Sequence, residues 1–143
     1  YINLGFSGAA EGEQAIAEYI ASLDMSVFVL DYDHNAPKIE HLQKTHQPFF
    51  NTVRAKNPDL PVIFVSKPDF SDYSFDSIQR RNIIFKTYMS AMENGDRNVY
   101  FIDGRSFFAR DYRDSCTVDG CHPNDIGFLR MAQVIGNMVK ELL

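Results

Sequence analysis

Asp119 and His122 stand three positions apart in the stretch CTVDGCHPNDIGF, residues 116–128. At that spacing in a loop, the aspartate carboxylate can accept a hydrogen bond from the imidazole Nδ1–H. This bond fixes the tautomer and raises the basicity of Nε2. Such a pair is the base half of a nucleophilic triad. The alternative is structural, with the aspartate in a turn and the histidine stacked on the start of the next helix.

The same loop carries both cysteines of the chain, Cys116 and Cys121. Together with His122 they could bind zinc, although the sequence offers no convincing further ligand elsewhere. In an oxidising compartment the two cysteines could instead form a disulfide, whereas in a cytosol they would stay thiols. The residues alone leave these alternatives open.

The elements that would position this loop alternate along the chain. Short apolar runs predict buried strands at residues 1–8, 25–33, 60–68 and 98–104. Helical spacing of apolar residues predicts helices over residues 10–23 and 38–56, the second broken near residue 47 because Pro48 lacks a backbone donor.

Two further helices complete the predicted pattern. The first is marked by Ile78, Phe85, Met89 and Met92. The last begins at about Asp125 with Asn124 as its cap, and its expected buried stripe is Leu129, Ala132, Gly136, Val139 and Leu143.

Apolar strands that alternate with helices predict an α/β fold, a doubly wound parallel sheet with helices on both faces. No linker interrupts the series, so residues 1–143 are expected to form a single domain. Ligands bind such sheets at the carboxyl ends of the strands. The turn at residues 5–10, the segment 31–37 and the loops after the later strands are therefore the candidate positions.

Composition narrows the possible partners. The net charge is −5 with no basic stripe, which argues against nucleic acid as a partner. The longest apolar stretch, residues 60–65, is far shorter than the roughly 20 residues that cross a bilayer, so no membrane span is expected.

Several other polar residues lie near these positions. His34 either faces solvent or touches substrate, and His46 and Arg80 are expected on solvated helix faces. The residues after the third strand could line an acyl or sugar pocket or simply pack a loop: Asp69, Asp72, Tyr73 and Phe75.

The motif DGCHPND before a helix resembles the last motif of the SGNH (GDSL-like) hydrolases, whose aspartate and histidine supply two triad members. The resemblance assigns those roles to Asp119 and His122. INLGFSG looks like the second motif of the family, whose glycine, here Gly8, gives a backbone N–H to the oxyanion hole. DYDHN stands in place of the third motif, whose asparagine, here Asn35, gives a side-chain N–H, but it departs from the usual G-x-N-D.

This resemblance implies a flavodoxin-like SGNH hydrolase fold and a serine esterase or acylhydrolase. Its substrate would be a small-molecule or carbohydrate ester with a short acyl group such as acetyl, and neither a cofactor nor a metal is implied. The first motif of the family, a strand that ends at the nucleophilic serine, would lie upstream of Tyr1, so the N-terminal strand of the domain is expected to be missing.

Two alternatives remain at this point. Ser7, in GFSGA, imitates the G-x-S-x-G nucleophile elbow and is a second candidate nucleophile. The domain could also bind without catalysis, as a pseudoenzyme or a carbohydrate-binding module. A periplasmic or secreted location is suggested by the family and by the cysteine pair, while the oligomeric state is not predicted.

Overall fold

The computed structural model describes residues 1–68, 75–109 and 111–143. Helices and strands alternate along these residues. The helices are α1 (Gln14–Ala21), α2 (Ile39–Lys56), α3 (Phe75–Glu93) and α4 (Asp125–Leu142), and the strands are β1 (Phe28–Leu30), β2 (Val62–Val65) and β3 (Val99–Ile102).

The three strands form one parallel sheet in the order β1-β2-β3. Phe28 pairs with Val62 across the first ladder, and Val62 pairs with Val99 across the second. Parallel ladders need crossover connections, which α2 and α3 supply. The prediction of a parallel α/β sheet is confirmed, and each of these strands lies within a run predicted from the sequence.

Alternation along the strands directs side chains into two separate cores. On one face, Leu30, Val62 and Phe64 pack with residues of α1, α2 and α3. On the other face, Ile63 and Val65 pack with residues of α4 and of the segment that follows β3. Helices therefore cover both faces of the sheet, as the sequence predicts.

The predicted strand at residues 1–8 is wrong. This segment has no strand pairing, and Tyr1, Ile2 and Phe6 are exposed. A strand needs a neighbour that accepts and donates its backbone hydrogen bonds, and an apolar run shows only a tendency to be buried. Here the segment closes in a turn in which Ala9 N donates to the carbonyl of Phe6.

The predicted break in α2 is also wrong, because the helix runs through Pro48. A proline inside a helix costs about 3 kcal/mol. Burial of Phe49 and Phe50 beside it, each 4% exposed, offsets that cost. His46 lies on the same buried face at 1% exposure, which corrects its expected surface position.

The apolar faces of α3 and α4 differ from those expected. Phe85 and Met89 are partly exposed, and the most buried apolar residue of α3 is Ile84. On α4, Leu129 is exposed, and the residues that pack on the sheet are Met131, Val134, Ile135, Met138, Val139 and Leu142. Of the predicted stripe, only Val139 belongs to this packed set. Within the described residues, no helix is both long and apolar enough to cross a membrane.

Candidate active site

The Asp119–His122 loop is a small hairpin in front of α4. Thr117 and Pro123 form an antiparallel bridge, and Val118 N donates to the carbonyl of His122. Gly120 sits at the tip with φ of +82°, a backbone conformation that glycine adopts without strain. These local bonds fix the shape of the loop.

Asp119 holds the backbone and the side chain of His122 at once. Its Oδ1 accepts from the backbone N–H groups of Cys121, at 2.9 Å, and His122, at 2.7 Å. Its Oδ2 lies 2.6 Å from His122 Nδ1. The hydrogen bonds from the backbone and side chain of His122, joined by that from Cys121, lower the pKa of Asp119 to about 2. Asp119 is therefore ionised at neutral pH.

His122 presents its far ring edge to solvent. Its side chain is 76% exposed, while Nδ1 is engaged by Asp119. With a carboxylate at Nδ1, the tautomer that carries its proton there is favoured, and Nε2 is left as an acceptor. Asp119 therefore lies where its carboxylate can orient the imidazole, and the catalytic roles of both residues stay predictions.

α4 begins where this hairpin ends. The Asn124 side chain accepts from the backbone N–H groups of Ile126 and Gly127, so it caps the helix as predicted. Its Nδ2 donates to the carbonyl of Ser115 at 2.8 Å. One side chain thus ties both the entry to the hairpin and the first turn of α4.

The loop after β1 meets the other strand ends through a buried carboxylate. Asp33 is 1% exposed, and its Oδ2 accepts from Lys67 N, just after β2, at 3.0 Å. Its Oδ1 has no hydrogen-bond partner among the described residues. Burial raises the pKa of Asp33 to about 6, against the opposing hydrogen bond from Lys67 and the charges of Arg80 and Lys67.

Arg80 reaches the same loop from α3 and is buried, so its expected solvated position is wrong. Its Nη1 donates to the carbonyls of Asp33 at 2.5 Å and Ala36 at 2.9 Å. Its Nε donates to Asp76 at 2.8 Å on the same helix. Sequence patterning misses this role because the carbonyls are more than 40 residues away in the chain.

Asn35 lies between those two carbonyls. Its backbone N donates to the carbonyl of Tyr32, and its side chain makes no hydrogen bond to the described part of the chain. The preceding residue, His34, has Nε2 at 3.3 Å from Cys121 Sγ. The loop that carries Asn35 is therefore in direct contact with the hairpin that carries His122.

The pKa of His34 is shifted by its surroundings, including the charged residues Lys67 and Arg80. Desolvation, followed by the positive charges of Lys67 and Arg80, lowers the pKa of His34 to about 4. The ring is consequently neutral at pH 7. When Nδ1 carries the ring hydrogen, Nε2 can accept a hydrogen bond from the thiol of Cys121.

Ser7 and Gly8 occupy an exposed turn. Their φ angles are +49° and +88°, and the turn closes through the bond from Ala9 N to Phe6 O. No hydrogen bond among the described residues links this turn to the Asp119–His122 hairpin. Residues 1–6 form no strand, and α1 begins only at Gln14, so among the described residues the strand-turn-helix setting of a nucleophile elbow is not formed around Ser7.

The structure places the two cysteines in different surroundings, which bears on the zinc and disulfide alternatives. Both are free thiols, and Cys116 is buried with Sγ beside Tyr112 O and Arg130 Nη1, whereas Cys121 Sγ faces His34. Across residues 1–68, 75–109 and 111–143, no group of three or more His, Cys, Asp or Glu side chains is placed to hold a metal ion. Of the possible pocket residues after β2, Asp69, Asp72 and Tyr73 lie outside the described residues, and Phe75 is exposed at the start of α3.

The chain combines a parallel α/β sheet with a histidine that contacts a carboxylate after the last strand. The chain belongs to the GDSL-like lipase/acylhydrolase family, whose model matches residues 1–140. Among curated proteins, none matches the chain.

Two solved structures share the fold. A protein from Bacteroides ovatus assigned as a GDSL-like lipase is 29% identical with a TM-score of 0.84, over 99% of this chain and 43% of that one. The salicylyl-acyltransferase SsfX3 of a tetracycline biosynthetic pathway is 17% identical with a TM-score of 0.75, over 92% of this chain and 42% of its own. The chain thus spans less than half the length of both proteins.

Proposed function

We propose that the chain supplies the base and the oxyanion donors of a serine esterase or acylhydrolase that cleaves short acyl esters, among them esters carried on carbohydrates. The observation that carries this proposal is the 2.6 Å contact between Asp119 Oδ2 and His122 Nδ1. It leaves Nε2 as an acceptor on an exposed side chain, in a hairpin that contacts the loop of Asn35 through Cys121 and His34. Membership of the acylhydrolase family supports the same role.

In this proposal the nucleophilic serine is supplied by residues upstream of Tyr1. His122 Nε2 takes the serine proton as the oxygen attacks the ester carbonyl, and Asp119 stabilises the imidazolium that forms. The C–O bond to the alcohol then breaks, and His122 gives its proton to the leaving oxygen. A water molecule attacks the acyl-serine through the same base, which releases the acid and restores the serine.

The carbonyl oxygen becomes an oxyanion in both halves of this reaction. Gly8 N–H and the Asn35 side-chain N–H are the proposed donors because INLGFSG and DYDHN stand in place of the family motifs that supply them. Asn35 follows β1, whereas residues 1–8 form no strand of the described sheet. A preorganised donor of this kind contributes about 10² to 10³ in rate.

The test uses the protein extended upstream of Tyr1 to include the serine motif of the family, with p-nitrophenyl acetate as substrate. His122→Ala is expected to lower kcat by at least about 10³-fold. His41→Ala is the matched control: among the described residues the His41 ring bonds to the carbonyl of Glu11, outside the proposed site, so its loss should leave kcat within about twofold. Full activity of the His122 variant would refute the assignment.

Ser7 remains the alternative nucleophile, and its positive φ of +49° is the observation that favours it. A fluorophosphonate probe applied to residues 1–143 separates the candidates by mass mapping. An adduct on Ser7 would make this serine the nucleophile. Absence of an adduct here, with an adduct on the upstream serine of the extended protein, would support the proposal. Absence of both would favour a binding domain.

A further inference from the structure

Arg80 binds the two carbonyls that bracket the proposed oxyanion donor. Its Nη1 lies 2.5 Å from Asp33 O and 2.9 Å from Ala36 O, and the residues between these two carbonyls are His34 and Asn35. A single guanidinium nitrogen therefore spans the turn on both sides of Asn35. Because the donor is charged, each bond is stronger than one between neutral groups.

The Asn35 side chain depends on this backbone for its direction. It makes no hydrogen bond to the described residues, and the turn is otherwise held by hydrogen bonds from Asn35 N and Ala36 N to Tyr32 O and from Lys67 N to Asp33 Oδ2. Those three bonds fix the start of the turn and the N–H of Ala36. The carbonyl of Ala36, at its end, is held by Arg80.

We propose that Arg80 is a positioning residue that aims the Asn35 amide at the developing oxyanion; this inference rests on the proposed function. Arg80 does not itself contact substrate, since it is 9% exposed and its Nη1 is directed at backbone carbonyls. An oxyanion donor acts only when it is held in place before charge develops. Loss of the hydrogen bonds from Arg80 to these carbonyls should therefore lower kcat more than it raises KM.

Arg54 provides a matched comparison at the opposite end of the sheet. It also donates from one guanidinium to several carbonyls, including Leu60 O at 2.6 Å and Asn98 O at 3.2 Å, and it pairs with Asp96 at 2.8 Å. These carbonyls precede β2 and β3, far from the strand ends that carry the site. Arg54 therefore shares the structural role of Arg80 without a place near the site.

The experiment compares Arg80→Lys with Arg54→Lys in the extended protein. Both changes should lower the unfolding midpoint. Only Arg80→Lys should lower kcat, by about 10- to 100-fold, with KM changed less than about threefold, because an ammonium cannot span both carbonyls and Asp76 as the guanidinium does. A kcat equal to that of Arg54→Lys would overturn the inference.

Asn35→Ala separates this inference from the proposed function. If Asn35→Ala lowers kcat by about 10²-fold or more, Arg80→Lys should add little to it, because both changes remove the same interaction. If Asn35→Ala costs activity and Arg80→Lys does not, the positioning role fails while the proposed function stands. If Asn35→Ala leaves kcat unchanged, the oxyanion role of Asn35 fails, and the role of Arg80 fails with it.

A readout without turnover is the ¹H–¹⁵N signal of the Asn35 side-chain amide. This signal should shift or broaden in Arg80→Lys and stay in place in Arg54→Lys, and the reverse pattern would contradict the inference. If Arg80→Lys does not fold, Asp76→Asn loosens the same guanidinium from its 54% exposed partner. That variant should lower kcat about two- to fivefold. An unchanged kcat would contradict the positioning role of Arg80.

Discussion

Cys121 Sγ lies 3.3 Å from Nε2 of His34, which joins two loops whose contacting residues are 87 positions apart in the chain. One loop carries the proposed base, His122, and the other carries the proposed oxyanion donor, Asn35. The contact therefore sets how the two halves of the candidate site face each other.

This arrangement predicts that the two thiols react at different rates. Cys121 is partly exposed and should react with Ellman's reagent in the folded protein, whereas Cys116 is 0% exposed and should react only on unfolding. Cys121→Ser should abolish the fast phase alone. Two fast phases, or no reaction until a reductant is added, would contradict the described pair of free thiols.

Burial lowers the pKa of His46 to about 3, so the folded protein keeps this ring neutral where the unfolded chain protonates it. Its Nδ1 lies 2.9 Å from Thr87 Oγ1. The unfolded state binds the extra proton between about pH 6.5 and 3, so stability should fall as pH falls through that window, by up to ~1.4 kcal/mol per pH unit.

The measurement for His46 is urea unfolding at pH 7 and pH 4.5. His46→Gln should be less stable at pH 7 but should lose less stability on acidification than the wild type. His41→Gln, on the partly exposed side of α2, serves as the control and should keep the wild-type pH dependence. Equal pH dependence in the wild type and His46→Gln would refute the prediction.

The contribution of Asp33 to the pH dependence of stability has the opposite sign to that of His46. Burial raises its pKa to about 6, so the folded state binds a proton more readily than the unfolded chain between about pH 4 and 6. Asp33 therefore costs stability as pH rises through that window, by about 3 kcal/mol in total. Asp33→Asn lacks this loss and keeps an oxygen for Lys67 N.

The stability difference between Asp33→Asn and the wild type should therefore move in favour of the variant as pH rises from 4 to 6.5, then stay level. Guanidinium unfolding across this range measures it. A difference that does not vary with pH would show that the carboxyl of Asp33 titrates as it does in the unfolded chain.

Two glycines of α4 give opposite predictions for the same substitution. A Cβ at Gly127 would overlap the carbonyl oxygen of Cys116, so Gly127→Ala should destabilise by about 1–3 kcal/mol. Gly136 has no atom within 4 Å of an added Cβ, so Gly136→Ala should stabilise the helix by up to about 1 kcal/mol. Thermal unfolding compares them, and the same sign for both would contradict the described packing.

The strands were predictable because buried parallel strands are apolar on both faces. The runs at 25–33, 60–68 and 98–104 each contain a strand of the sheet. The strand predicted at residues 1–8 was wrong because an apolar composition gives no information about a hydrogen-bonding partner. The orientation of α4 failed because its apolar residues are numerous enough to allow more than one stripe, and packing on the second core selected one.

The candidate site likewise has one part that the sequence predicts and one part that it does not. Asp119 and His122 are three residues apart, so the local hairpin alone produces their contact, and the sequence was sufficient to propose it. Arg80 and the carbonyls it binds are 44 and 47 residues apart. The burial of this arginine depends on how α3 crosses the sheet, which no local pattern contains. Whether Gly8 and Asn35 act as donors stays a prediction.

The sheet also has a consequence for the behaviour of the protein in concentrated solution. Among the described strands, β1 is bonded to β2 along one side only, so no described strand pairs with the other side of Phe28–Leu30. Such an edge is a template on which another strand can dock. With three residues available it offers only a few hydrogen bonds, and pairings that short are marginal in water. For residues 1–143 taken alone, self-association through this edge should therefore be weak, reversible on dilution and favoured by crowding.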